Sequence, residues 1–338
     1  MKTAVDRVVG LGEDSSRWFE GASAADCINL TAAGHAFTGV KDTDFPLPHR
    51  IIRYAAPLSE KAVESVAELR EFAKWQAGAA NGVVERLRAL DRPTTAEDWS
   101  AEYWHLVEER SRQKPLFLGT ARLSTRITDD APNFDIFGDN VRGDGAVRDP
   151  VVWRWVRGRT HPAREVYIET GRRSLARFRC EGMAGDVLQN VVCLSNGVEV
   201  NGNRILRNER AKWAWFELLR RNMEKGWDVS RLSSLTEKQV IVATATEADR
   251  LVILGDAFEQ LARPGALAIE DWADIAYKLY QSPQTISGSD AVIRTYLAAA
   301  GEFRSGRVPR FPHDIDLRGM TMSQRDFIED IVEHDSRP

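Results

Sequence analysis

The sequence predicts an α+β (or α/β) protein: a small central mixed sheet flanked by helices, with helical N-terminal and C-terminal parts. Three observations carry this expectation. Between Val187 and Leu206 short apolar runs alternate with polar residues and are broken by two Asn-Gly steps, the pattern of strands and turns. From Asn208 the period changes to that of a helix. From Ser59 to about Arg112 and downstream from Glu247, apolar residues recur mostly at helical spacing. A chain of 338 residues can bury a large core, and the patterning divides it into a helical region 1–127, an Asp/Gly-rich loop 128–150, an α/β core 151–263 and a helical region 264–338.

The first 58 residues are rich in Gly and Pro and read as loops. Ser59 is an N-cap for a helix that presents Ala62, Val66, Leu69 and Ala73 and is expected to stop near Gly78. A second helix, Val83 to Leu90, precedes Arg92-Pro93, and Thr94 with Glu97 forms a capping box for a third helix through about Arg112. Trp99, Tyr103, Leu106 and Val107 make its buried side, and His105 reads as a packed or surface histidine. Leu116-Phe117-Leu118, then Ala121, Leu123, Thr125 and Ile127, suggest strands beyond Pro115.

Asp129, Asp130, Asp135, Asp139 and Asp144 crowd the stretch from Thr128 to Pro150. They lack the alternation of a calcium loop, so a solvated loop is expected and no metal site is assigned. Arginine then becomes dense. Arg154, Arg157, Arg172, Arg173, Arg177 and Arg179 stand among Trp153, Trp155, Tyr167 and Phe178, a composition suited to phosphate backbones and stacked bases, or to pairing with the upstream acids.

Val191, Val192 and Leu194 end in the turn signal Ser195-Asn196-Gly197, and Val198 to Val200 follow as a strand. Asn201-Gly202-Asn203-Arg204 reads as a turn between that strand and a helix N-terminus. Backbone amides and the helix dipole there can receive a phosphate, so Gly202, Asn203, Arg204 and Arg207 are the candidate phosphate-binding residues. The alternative is an ordinary turn with salt-bridged arginines, Arg204 pairing Glu199 or Glu209. The helix carries Ala211, Ala214, Trp215, Leu218 and Asn222 on one side and Lys212, Phe216, Leu219 and Met223 on the next, and should end near Gly226. One more strand is expected at Val240 to Val242, then helices over Glu247–Arg263, Glu270–Gln281, Ser289–Ala300 and Ser323–His334. Arg294 is the only cation in the third of these, which makes the pair around 282–288 a poor DNA-reading helix-turn-helix. His313-Asp314-Ile315-Asp316 has no supporting metal ligands nearby in sequence.

The order from Gly185 to Phe216, with Val-x-Asn-Gly-Asn-Arg before a helix and Gln239-Val240-Ile241-Val242 after it, resembles the core of the ParB-like and sulfiredoxin-like superfamily. The resemblance spans Glu165 to Gln281. It implies a phosphate-closing box for nucleotide or DNA and a place in partition, DNA-modification or DNA-processing systems. Only Gly202 and Arg204 carry over directly, since Ile205 stands where the family has a further arginine and Asn208 where it has a small residue. No Walker, zincin, nucleophile-elbow or dinucleotide motif occurs, and Asn196 replaces the histidine of an AMP-transferring box.

Net charge of −4 and a pI near 6.0 argue against wholesale nucleic-acid coating but leave room for a local basic face. Cys27, Cys180 and Cys193 are too far apart for a zinc knuckle, and the absence of a leader or membrane-length apolar run points to a reducing cytoplasm; this makes the Asn29-Leu30-Thr31 glycosylation triplet accidental. The expected function is therefore to handle a phosphate-bearing ligand, nucleotide or DNA, with oligomerisation open and no cofactor assigned. Two alternatives stand beside it. An in-line arrangement of Asp135 or Asp139 near Arg204 would favour an enzyme acting on a nucleotide or nucleobase through the Asp-rich loop. A large exposed Trp patch, with the arginines all paired, would favour a non-catalytic assembly or adaptor protein.

Overall fold

In the computed structural model the described residues are 39–45, 60–112, 126–130, 132–138, 146–148, 155–157, 162–224, 226, 235–286 and 288–337. The strands expected between 116 and 125, Arg154, Asp139 and Asp144 lie outside them. The two helices expected on either side of Gly78 form one, α1 (Glu60–Arg88). Each glycine costs about 1 kcal/mol in a helix. Burial of Ala73, Ala77, Ala80, Val83, Val84 and Leu87, most of them in the largest core cluster, outweighs that cost.

Helix α2 (Ala96–Arg112) buries Trp99, Tyr103 and Leu106 as expected. The Thr95 hydroxyl accepts from the Asp98 amide and the Asp98 carboxylate accepts from the Thr95 amide, so the capping box lies one residue later than Thr94 and Glu97. The C-terminal helices close over this pair: α5 (Glu247–Ala262), α6 (Ile269–Gln281), α7 (Ser289–Ser305), α8 (Ile315–Thr321) and α9 (Gln324–Ser336). Tyr103, Tyr296, Trp99, Phe258 and Phe303 meet edge to face or tilted at 5.4–6.1 Å, joining α2, α5 and α7.

The sheet is antiparallel throughout rather than mixed. Its order is β1 (Phe134–Gly138), β6 (Gln239–Ala243), β5 (Glu199–Leu206), β4 (Val187–Cys193). The edge strand β1 comes from the Asp-rich stretch expected to be all loop; its Phe137 is fully buried beside α3 (Pro162–Cys180). A separate ribbon pairs β2 (Ala146–Arg148) with β3 (Trp155–Arg157). Helix α4 (Asn208–Glu224) covers the other face of the sheet. Ala211 and Ala214 pack on Leu206, Ile241 and Ala243, with Trp215 partly buried against them.

Lys278 and Arg294 are wholly buried, and both are paired. The Lys278 ammonium lies 2.6 Å from Asp256 and 2.6 Å from Asp274 and donates to Gln260 at 3.1 Å. Asp256 also accepts from the Ser195 amide and hydroxyl, which ties the β4–β5 turn to α5 and α6. Burial disfavours the ionised Asp256, yet the hydrogen bonds from Lys278 and Ser195 outweigh it and hold its pKa below the usual value. Arg294 donates to Asp290 and to the His313 carbonyl, so this buried cation of α7 is a core strut and no DNA contact. Arg318 and Arg294 likewise engage Asp314 and Asp316.

Candidate functional site

The expected turn at Asn201-Gly202-Asn203-Arg204 is strand. β5 runs unbroken through it to Leu206, and the only tight turn of the hairpin is at Ser195-Asn196-Gly197, where Gly197 has φ 83°. A bulge in β4 between Gln189 and Val191 faces this stretch, and side chains complete its hydrogen bonding. Gln189 Nε2 donates to the Gly202 carbonyl at 2.7 Å. The Asn203 amide donates to Gln281 Oε1 at 2.6 Å, and Asn203 Nδ2 donates to the Tyr280 carbonyl. Gly202 and Asn203 are buried and these polar groups are committed, so the exposed turn from which a phosphate seat was expected is not formed. Local pattern favoured a turn because Asn-Gly is a strong turn signal; two glutamine carboxamides from β4 and α6 override it.

Arg207 is structural as well. Its guanidinium carbon stacks 4.2 Å from the Phe178 ring centroid, and its Nη2 donates to the Met183 carbonyl. Arg204 is exposed, and among the described residues no acid pairs with it, neither Glu199 nor Glu209. Arg204 and Phe134 are both register partners of Ala243, so they share one face of the sheet. Asp135, one residue on, points to the opposite face. The arrangement required for an Asp135–Arg204 catalytic pair is not made.

In the arginine-rich segment, Arg157 lies in β3 and Arg172, Arg173, Arg177 and Arg179 follow one another on α3. Arg172 and Arg173 both donate to Glu169; burial works against that carboxylate's charge, but these two hydrogen bonds prevail and lower its pKa. Arg177 binds Glu181, Asn190 and the Thr321 carbonyl, while Arg179 is exposed. Among the described residues it is Glu169 on the same helix and Glu181 just past its end that take up the charges of Arg172, Arg173 and Arg177.

What the sequence placed as the second apolar side of α4 is turned outward. Trp213 is 64%, Phe216 66% and Met223 61% exposed, and Leu219 is half-buried beside them. Most charges around this stripe pair within the helix: Lys212 pairs Glu209, Arg220 pairs Glu217 and Glu224, and Arg221 pairs Glu217, while exposed Arg210 has no acid paired with it among the described residues. Hydrogen bonds from Arg220 and Arg221 lower the Glu217 pKa to about 2, so this carboxylate stays charged at any physiological pH. Trp213 was not singled out by periodicity. The available signal was that the apolar residues of this helix span too wide an arc for one sheet face to cover.

Among the described residues no group of three or more His, Cys, Asp or Glu is placed to hold a metal ion. No described helix is long and apolar enough to cross a membrane. No known protein family model and no curated protein matches this chain.

Proposed function

We propose that this chain is a non-catalytic assembly protein and that two copies meet through α4. The observation that carries the reading is the exposed Trp213-Phe216-Met223 stripe, flanked by charges most of which pair within α4. At ~150–250 Å² per aromatic side chain, Trp213 and Phe216 alone leave roughly 250 Å² of apolar surface in water. That is about half the apolar share of one side of a standard interface, and Met223 and Leu219 extend it.

A second copy is the occupant that the charge order fits. With two α4 helices antiparallel about a two-fold axis level with Leu218, Lys212 faces Glu224 of the partner subunit and Trp213 faces Met223 of the partner subunit. Phe216 then lies under Arg220 of the partner subunit, a cation–π contact. Burying roughly 500 Å² of aromatic surface at ~25 cal/mol/Å² contributes about 12 kcal/mol, against an association cost of ~4–15 kcal/mol. At the low end of that cost the net, about 8 kcal/mol, corresponds to a dimer that dissociates in the micromolar range. Sedimentation of wild type against Trp213→Ser/Phe216→Ser tests it: the wild type should dimerise with concentration and the variant stay monomeric. A wild type still monomeric at about 100 µM, well above such a dissociation constant, or a variant that dimerises equally, sinks the proposal. The exposed thiols of Cys180 and Cys193 suit a reducing cytoplasm.

The exposed Arg204 supports a second reading, a surface contact to a phosphate-bearing ligand, nucleotide or DNA. Such a contact weakens steeply with salt, and Arg204→Ala should weaken it while leaving stability within ~0.5 kcal/mol. Equal nucleotide and DNA binding by both proteins ends it.

A further inference from the structure

A small cavity of about 160 Å³ lies where α3 meets α8 and α9, lined by Thr170, Arg173, Arg177, Asp314, Arg318, Thr321, Met322 and Asp326. Its size is informative, since nucleotide and drug pockets run ~300–1,000 Å³ while ~150 Å³ suffices for a ligand as small as benzene. The donors facing it come from guanidinium groups. The Thr170 and Thr321 hydroxyls spend their protons on the Val166 and Leu317 carbonyls and can only accept. Arg177 is occupied by Glu181, Asn190 and the Thr321 carbonyl. Arg318 uses Nε on Asp314 and Nη1 on Asp330, and Arg173 uses Nε on Glu169. The Nη2 of Arg318 and both Nη groups of Arg173 hold donors that no described residue takes. Asp326, in the first turn of α9, also lines the cavity and has no described cation as partner.

We infer that this cavity binds a small oxyanion that still carries a proton, hydrogen phosphate being the fitting species. Two guanidinium groups take the charged oxygens, and the ligand's own hydroxyl donates to the Asp326 carboxylate. That carboxylate repels a fully deprotonated anion such as sulfate, which has no proton to offer it. The site selects by protonation state rather than by charge alone, and it is independent of both the α4 interface and Arg204.

Calorimetric titration and thermal shift of the full chain with inorganic phosphate or sulfate, at constant ionic strength in chloride near pH 7, test this. Phosphate should bind at least tenfold more tightly than sulfate. Arg173→Gln, whose side chain is exposed and whose partner Glu169 keeps Arg172, should retain its fold by circular dichroism and lose phosphate affinity tenfold or more. Asp326→Asn, whose carboxamide can donate, should bring sulfate to within threefold of phosphate. Arg204→Ala should bind phosphate as the wild type does. No phosphate binding by wild type, unchanged affinity in Arg173→Gln, an undiminished phosphate preference in Asp326→Asn, or loss of binding in Arg204→Ala would each overturn the assignment.

Discussion

Gly202→Ala isolates the contact that displaced the expected phosphate turn. A Cβ at this position meets Gln281 Oε1 at 2.2 Å and the Gln281 Cδ and Val192 Cγ2 at 3.1 Å, well inside van der Waals contact. Gln281 has no solvent to retreat into: it is fully buried, and its Nε2 donates to the Gly319 carbonyl at 2.6 Å. Overpacking costs ~1–3 kcal/mol. Displacing Oε1 also strands the buried Asn203 amide, at ~1–3 kcal/mol. Removing a strand glycine returns ~0.5–1 kcal/mol, leaving a net loss of about 3 kcal/mol. The left-handed conformation has no part in this, because Gly202 is not among the residues with positive φ. Urea unfolding followed by tryptophan fluorescence measures the change. Gly185→Ala is the control, since its added methyl meets no atom within 4 Å, and the expected change is below ~0.5 kcal/mol. On a Gln281→Ala background the same Gly202→Ala step should cost less than ~1 kcal/mol, since the clashing carboxamide is gone. An unchanged midpoint for Gly202→Ala, or equal increments on the two backgrounds, refutes the steric account.

Lys278→Met should destabilise by about 3–5 kcal/mol in the same assay, because Asp256 and Asp274 lose the ammonium between them; a neutral or stabilising effect would show that the network is dispensable. The Asp256 pKa is lower in the folded chain than the unfolded value near ~3.9, so its contribution is fully present above that pH and is lost as pH falls through the folded value. Asp256→Asn should therefore flatten the decline of the urea midpoint below about pH 4, and an unaltered acid limb would tell against the assignment.

The elements with one apolar face were legible in the amino-acid sequence. The Thr-x-x-acid cap before α2, the Ser195-Asn196-Gly197 turn and the Ala211-Ala214-Trp215 side of α4 each follow from local geometry, and each is present within a residue or so. Charge spacing on α3 also showed where cations cluster, although not that Glu169 and Glu181, at helical distance, would bind them. Tertiary packing alone decided the rest. Gly78 lies inside α1 because the core buries the helix on both sides of it, and Phe134–Gly138 is a strand because β6 supplies its ladder partners. Asn201-Gly202-Asn203-Arg204 remained extended because Gln281, 79 residues beyond Gly202 by the numbering, reaches the backbone there. A local pattern records which conformations a segment tolerates. The choice among them was made by partners distant in sequence, whose burial and hydrogen bonds are worth more than the ~1 kcal/mol differences in local preference.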